Sequence, residues 1–207
     1  MTSVAHIAIL VASTRTNRFA DHPLKWVLEQ TASTADFTFE VVDLREHTLP
    51  FENLQGSAAM APRQYGSDDH RALGNTFDAA DGFLVLVNEY NHGYSAPLKN
   101  TLDHYFEEFS RKPFAFIGYG NVGGARAIEQ LRLVIDELDA VSVRPTVNIL
   151  GQYVMEIRGG NDNVTQVFAP LEVRLEALLK DLHWWSSALG VARGATTEQT
   201  DATDEDA

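Results

Sequence analysis

The sequence predicts an α/β fold in which a parallel sheet of five strands is covered by helices on both faces. Three observations carry that expectation. Short apolar runs alternate with segments of helical periodicity along most of the chain, the pattern of repeated βα units. The apolar runs are almost unbroken, as in strands buried on both sides. The chain has 207 residues, 44% hydrophobic and 22% charged, which is ample for one well-packed domain and short for two.

Taken in order, residues 4–13 (VAHIAILVAS) form the first strand. Residues 23–32 carry Leu24, Val27, Leu28 and Thr31 at helical spacing, and residues 37–44 (FTFEVVDL) are the second strand. Residues 49–68 are irregular, with two Pro and two Gly, and loops of that length are often functional. A helix over 69–80 leads to a third strand over 82–88 (GFLVLVN). Residues 96–109 read as a helix with Leu98, Leu102, Tyr105, Phe106 and Phe109 on one side. Strand four covers 113–118, a strongly periodic helix covers 125–138, and strand five covers 141–150. After an irregular stretch, residues 166–189 form a closing helix that ends before Gly190. With five strands and this length, the economical arrangement is the flavodoxin-like three-layer sandwich of strand order 2-1-3-4-5.

The domain is expected to span 1–193. From 194 to 207 the text GATTEQTDATDEDA holds five acidic residues, no basic one and no large apolar group, so a disordered acidic tail is expected.

Charge and composition narrow the function. Lys plus Arg is 16 against 29 Asp plus Glu, a net charge of −13, and such a chain lacks the basic stripe that nucleic acid requires. There is no cysteine, which excludes disulfides, thiolate zinc sites and cysteine nucleophiles. The seven histidines are scattered without metal-ligand spacing, so no metal site is expected. No G-x-S-x-G elbow is present, and the adjacent acidic pairs Glu107-Glu108 and Asp68-Asp69 read as solvated faces. No apolar run reaches the length of a membrane span and no signal peptide is legible, so the expected location is cytoplasmic, with no membrane partner.

Ligands of such sheets bind outside the carboxyl ends of the strands, where the winding reverses, which singles out loops 13–20, 88–95 and 118–124. In the first, Ser13, Thr14, Arg15, Thr16, Asn17 and Arg18 gather hydroxyls, an amide and two guanidinium groups at a helix N-terminus, a setting that favours a phosphate; an ordinary helix cap with solvated arginines is the other reading. The second, from Asn88 to Ser95, offers two tyrosines and polar groups suited to a flat aromatic ligand, or simply a turn that shields the sheet end. The third, Gly118-Tyr119-Gly120-Asn121-Val122-Gly123, matches G-x-G-x-x-G, but it follows the fourth strand, and the strand after it ends in Asn148-Ile149-Leu150 without an acidic residue for a ribose. These glycines are therefore expected to let the backbone approach a ligand closely. His92, beside the second loop, is a candidate proton donor or a surface turn residue.

Glu89-Tyr90-Asn91 with Gly93-Tyr94-Ser95-Ala96-Pro97-Leu98-Lys99-Asn100-Thr101-Leu102-Asp103 resembles the (P)EYNxGY(S/P)xxLKNxLD signature of the NAD(P)H-dependent FMN reductase family. Ser13-Thr14-Arg15 and the segment 118–126 resemble that family's first and third flavin loops, collinear over roughly residues 4–150. The resemblance implies a flavodoxin-like fold, bound FMN, a homodimer, and reduction of quinones, azo dyes, metal oxyanions or free flavin by NADPH or NADH. It implies that Ser13 and Arg15, with Asn17 or Arg18, hold the phosphate next to Phe19. Glu89, Tyr90 and Asn91 would line the isoalloxazine, and Tyr119, Gly120 and Asn121 would close its other side. Asn88 stands where the family usually has Pro, which frees a backbone N–H and is expected to loosen the loop. Residues 151–207, with Trp184 and Trp185, exceed the usual family C-terminus and are expected to pack on the core.

No side chain is expected to be an indispensable acid or base, since FMN carries hydride chemistry itself. Arg15, Arg18 and Arg126 are compatible with a reductant bearing a 2′-phosphate. The dimer is expected on helices 96–109 and 125–138, through the aromatics at the end of the first. A non-enzymatic FMN electron carrier or redox sensor, and a flavin-free structural relative, are the competing readings.

Overall fold

The computed structural model describes residues 4–51 and 56–204, with side chains described up to residue 195. Five strands, β1 (Ala5–Val11), β2 (Phe37–Asp43), β3 (Gly82–Asn88), β4 (Pro113–Tyr119) and β5 (Val141–Ile149), form one sheet of order β2-β1-β3-β4-β5. Every pairing is parallel. This is the flavodoxin-like arrangement.

The period of two along each strand divides the core. Ile7, Ile9 and Val11 of β1, with Leu84, Leu86, Ala115 and Ile117, point to one face, where Trp26, Phe168, Leu175, Leu178 and Leu182 cover them. Ala8, Leu10, Phe83, Val85, Phe114 and Phe116 point to the other, under Leu73, Phe77, Leu98, Leu102, Ile128, Leu131 and Ile135. The first layer comes from α1 (Asp21–Thr31) and the C-terminal helices. The second comes from α2 (Asp68–Ala79), α3 (Ala96–His104) and α4 (Ala125–Glu137). Strands β3 and β4 are buried throughout, while the outer strands β2 and β5 are not. β5 carries Pro145, which a strand tolerates at a sheet edge, and its register against β4 shifts between Phe114 and Phe116.

Three expectations need correction. Helix α3 stops at His104, because Tyr105 takes an extended conformation (φ −129°, ψ 145°). No breaker residue marks that end; tertiary packing sets it. Tyr105 and Phe109 are buried with Phe77, at ring-centroid distances of 5.0 Å each, and the Tyr105 hydroxyl donates to the His70 carbonyl at 2.9 Å. The aromatics expected to face a second subunit therefore fill this chain's own core.

The stretch after β5 is also not irregular: α5 (Gly151–Arg158) starts at once, followed by α6 (Val164–Phe168), a 3₁₀ turn (Ala169–Leu171) and α7 (Glu172–Asp204). Finally, α7 does not end before Gly190 but runs on past it, to Asp204. An established helix extends without a new nucleation cost, so weak helix formers can follow it. Residues 205–207 lie outside the described residues.

The long loop between β2 and α2 is described except for residues 52–55. Asn100 and His104 on α3 donate to the carbonyls of Leu49 and Pro50, at 2.9 and 2.7 Å.

Lys112, buried just before β4, donates to the Phe77 and Asp78 carbonyls at 2.8 and 2.7 Å and so closes the C-terminus of α2. Burial brings its ammonium down to about 8. Above that pH the unfolded chain, with an ordinary lysine pKa of about 10.4, binds more protons than the folded one, so this group favours folding increasingly as pH rises. Urea denaturation of the wild-type chain and Lys112→Met should show the difference moving toward the wild type by about 1–2 kcal/mol between about pH 8 and about pH 10. An unchanged difference would mean that Lys112 does not titrate in that window.

Candidate active site

The loops after β1, β3 and β4 meet at the carboxyl edge of the sheet, where strand order reverses between β1 and β3, and together with α5 they enclose a cleft of about 530 Å³. That size suits a small organic ligand. Ser13, Arg15, Asn17, Arg18, Phe19, Glu89, Tyr90, Asn91, Tyr119, Gly120 and Asn121, all singled out from the sequence, line it. None of the described residues of 49–68 does.

The β1–α1 loop is shaped by Arg18. Its five N–H groups are all engaged: Nε and Nη2 donate to Asp21 at 2.8 and 2.7 Å, Nη1 and Nη2 to Asp43 at 2.5 and 2.7 Å, and Nη1 to the Ser13 carbonyl at 2.9 Å. Arg18 is buried, and no donor is left for a phosphate. Arg18 lines the cleft, and its donors fix the loop. Burial of Asp43 acts to raise its pKa, but the bond from Arg18, helped by the Arg45 amide, outweighs burial and holds the carboxyl below its ordinary value.

With the loop so fixed, Arg15 and Asn17 stay exposed. Among the described residues, the backbone N–H groups of Thr14, Arg15, Thr16 and Asn17 find no acceptor. The Arg15 guanidinium lies 3.9 Å from the centroid of the Tyr90 ring, and the Tyr90 hydroxyl is 3.0 Å from Ser13 Oγ. Unpaired amides and an unpaired guanidinium ahead of a helix suit an anion.

The β3–α3 loop folds back as a tight turn. Asn91 and His92 both have positive φ (50° and 72°), and the Tyr90 and Gly93 amides and carbonyls bond reciprocally at 2.8 and 3.0 Å. Glu89, its side chain 5% exposed, accepts from Arg126 Nε at 2.7 Å and from the Arg126 amide at 3.2 Å, with a further ion pair to Arg126 Nη2. The carboxylate thus caps the start of α4 and joins two of the three loops. Arg126 Nη1 also donates to His92 Nε2 at 2.7 Å, and Gln130 donates to the His92 carbonyl at 3.0 Å. His92 Nε2 is thus engaged by Arg126 and helps hold the turn, the role of a surface turn residue. The loop is not loosened by Asn88, because Ser95 Oγ ties it to the Ala12 carbonyl at 2.8 Å.

In the third loop the glycines serve the turn more than the ligand. Gly123 and Gly124 are left-handed (φ 66° and 72°), and a Cβ on them would fall 2.7 Å from Asn148 Cβ and 2.8 Å from Gly118 Cα. The loop lies this close to its own sheet. Of these glycines Gly120 lines the cleft, with its neighbours Tyr119 and Asn121.

Deep in the cleft, the Asn88 amide is buried with both Oδ1 and Nδ2 unpartnered, and so is the Tyr119 hydroxyl. Burial pushes that phenol's pKa up, keeping it a neutral donor. Phe19 and Tyr119 pack together at a centroid distance of 5.4 Å. Unsatisfied polar groups at the base of an open cleft are positions for a ligand's own polar edge. The Asn88 side chain was missed as a site residue because it ends an apolar strand. Gly151, Val154, Met155 and Arg158 of α5 were missed because that helix was not anticipated. Among the described residues no group of three or more His, Cys, Asp or Glu could hold a metal ion, and no helix is long and apolar enough to cross a membrane.

The parallel sheet, the reversal of strand order and the cleft beyond it define a flavodoxin-like ligand-binding protein. A family described as NADPH-dependent FMN reductase matches residues 5–153, and the chain belongs to that family of oxidoreductases. It is similar to an NAD(P)H-dependent FMN reductase of Schizosaccharomyces pombe, 33% identical over 70% of this chain and 72% of that one. It also resembles a 2-hydroxy-1,4-benzoquinone reductase of a Burkholderia species, 32% identical over 65% of this chain and 72% of that one. Among solved structures, FerB, a flavoenzyme NAD(P)H:(acceptor) oxidoreductase of Paracoccus denitrificans, shares the fold with a TM-score of 0.60 at 17% identity, covering 86% of this chain and 99% of that one.

Arg18→Met should lower stability by about 3–5 kcal/mol at neutral pH, the scale of a buried ion pair broken on one side. The loss should begin to shrink as the pH falls below about 4, the ordinary aspartate value at which Asp43 of the unfolded chain takes up a proton while Arg18 still holds the folded carboxyl ionised. Chemical denaturation at pH 7 and pH 3 measures both; a loss that is equal at the two values would exclude Asp43 as the partner that matters.

Proposed function

We propose that this chain binds FMN in the cleft and transfers electrons from NADPH or NADH to a small-molecule acceptor such as a quinone, an azo compound or free flavin. The observation that carries the reading is the pairing of an exposed, unpaired Arg15 and unpaired loop amides at one part of the cleft with an unpartnered Asn88 amide at its base. A ligand with an anionic tail and a ring edged by hydrogen-bonding atoms satisfies both. Membership in an FMN reductase family, and relatives named for FMN and quinone reduction, support the same assignment.

FMN, when bound, supplies the hydride chemistry. The chain's residues hold and orient it. Arg15, Ser13, Asn17 and the free amides of 14–17 would hold the phosphate, with Arg18 as the support beneath them. Asn88 and the 89–91 turn would meet the ring edge, and Glu89 would act through Arg126 by fixing the position of that turn. Phe19 and Tyr119, packed on each other, would bound the cleft beside the ring. No side chain acid or base is assigned. A single cleft of this size, with the cofactor in place, admits reductant and acceptor in turn, a ping-pong order.

Purified protein should be yellow or become so on adding FMN, and fluorescence titration should show Arg15→Ala weakening FMN by about 1.5–3 kcal/mol, the scale of a lost charged hydrogen bond. A chain with no measurable FMN affinity would overturn the reading. With the holoprotein, double-reciprocal plots at several quinone concentrations should be parallel. Bound flavin that a protein donor reduces but NADPH and NADH do not would favour an electron carrier instead.

The working unit is proposed to be a cytoplasmic homodimer. Its interface would use α4, where Leu133 is 74% exposed, since the aromatics following α3 are buried within the chain. Sedimentation at micromolar concentration should find two copies; a monomer that still reduces quinones would exclude this part.

A further inference from the structure

Four arginines line the cleft: Arg15, Arg18, Arg126 and Arg158. Two of them are neutralised within the protein, Arg18 by Asp21 and Asp43 and Arg126 by Glu89. Arg15 and Arg158 form no ion pair or hydrogen bond among the described residues, and both are exposed. In a chain of net charge −13, two uncompensated guanidinium groups in one cleft call for two anionic groups, or for one that takes both. The loop after β1 already supplies Arg15 and free amides to one phosphate. Arg158 comes from another element.

That element is α5, which begins at β5, three strands away from β1. Its residues Gly151, Val154, Met155 and Arg158 are spaced i, i+3, i+4 and i+7, so one face of the helix forms a wall of the cleft. Gly151 lets the first turn sit against the third loop: its amide donates to the Asn121 carbonyl at 3.4 Å, and a Cβ there would come within 3.3 Å of Asn121 Cα. Ile157, buried, anchors the helix to the core. The wall therefore has a fixed position. It presents an apolar side chain, Met155, 67% exposed, three residues before an unpaired cation. A bare phosphate has no use for the apolar neighbour. A ligand that carries a heteroaromatic ring and phosphates together uses both.

We propose that α5 is the reductant side of the cleft, with Arg158 binding a phosphate of the nicotinamide dinucleotide and Met155 packing on one of its rings. The inference rests on the FMN reductase reading, and it locates the recognition of the second ligand in residues 155 and 158, beyond the segment 5–153 that matches the family. Arg158 is a specificity-determining residue in this assignment. It is exposed and forms no hydrogen bond or ion pair among the described residues, so its removal should leave the fold in place.

The test uses FMN-loaded protein and two unreactive probes, ADP-ribose and its 2′-phosphorylated form, with binding measured by calorimetry. The wild-type holoprotein should bind the 2′-phosphorylated probe, and Arg158→Ala should weaken it about tenfold or more, the range of a lost charged hydrogen bond, with Arg158→Lys recovering part of the loss. FMN affinity, titrated separately, should not change in Arg158→Ala, whereas Arg15→Ala should lower it. Equal weakening of both probes places Arg158 on the pyrophosphate, and weakening of the 2′-phosphorylated probe alone places it on the 2′-phosphate; either result supports the assignment. No binding of either probe by the wild type, unchanged binding in Arg158→Ala, or a matching loss of FMN affinity in that variant would overturn it. Failure of the wild type to take up FMN at all would instead remove the reading beneath it, and the flavin titration reports that separately.

Discussion

The cleft depends on the buried guanidinium of Arg18. One planar group with five donors reaches the end of β1 through the Ser13 carbonyl, the end of β2 through Asp43 and the start of α1 through Asp21. A lysine could not connect three elements in this way, because it lacks the rigid fork. The two carboxylates compensate the buried charge, and the geometry meets the condition under which a buried ion pair is not a liability. Its effect on the site is indirect but large. The loop between Ser13 and Ala20 is held from below, so its amides and Arg15 remain at the surface without partners of their own. The same logic recurs at Glu89 and Arg126, which fix the second loop to the start of α4.

The sequence announces this architecture wherever burial is complete. Strands β1, β3 and β4 are sealed on both faces, so their text is nearly continuous apolar residues and could hardly be read otherwise. The loops that follow them were legible for the same reason, since a buried strand must release its polar residues at its end. Legibility fails where context decides. Nothing in the text stops α3 at His104; the aromatic packing of Tyr105 against Phe77 does so. Helix α5 has no side-chain cap and opens on Gly151, so its start carries no signal in the local sequence. Arg18 and Arg15 are equivalent as letters, and only the positions of Asp21 and Asp43 in space make one a support and leave the other free.

The site also shows how an acidic protein presents a cationic cleft. The net charge of −13 is spread over the chain, while the four arginines at the cleft face three carboxylates, of Asp21, Asp43 and Glu89. These acids saturate the two arginines that build the walls. The two that remain give the cleft its local sign, and the negative surroundings keep weakly held anions away from the rest of the surface.

The sheet's outer strand has a consequence for how copies of the chain can associate. β5 carries Pro145, which offers no amide hydrogen, and its register slips between Phe114 and Phe116. An incoming strand would meet a ladder that is missing a rung and bent at the same place, so growth of the sheet from one molecule into the next is blocked along that margin. On that side of the sheet, association is left to helices, whose side chains select one geometry, and the covalent structure of a single residue disfavours strand addition there.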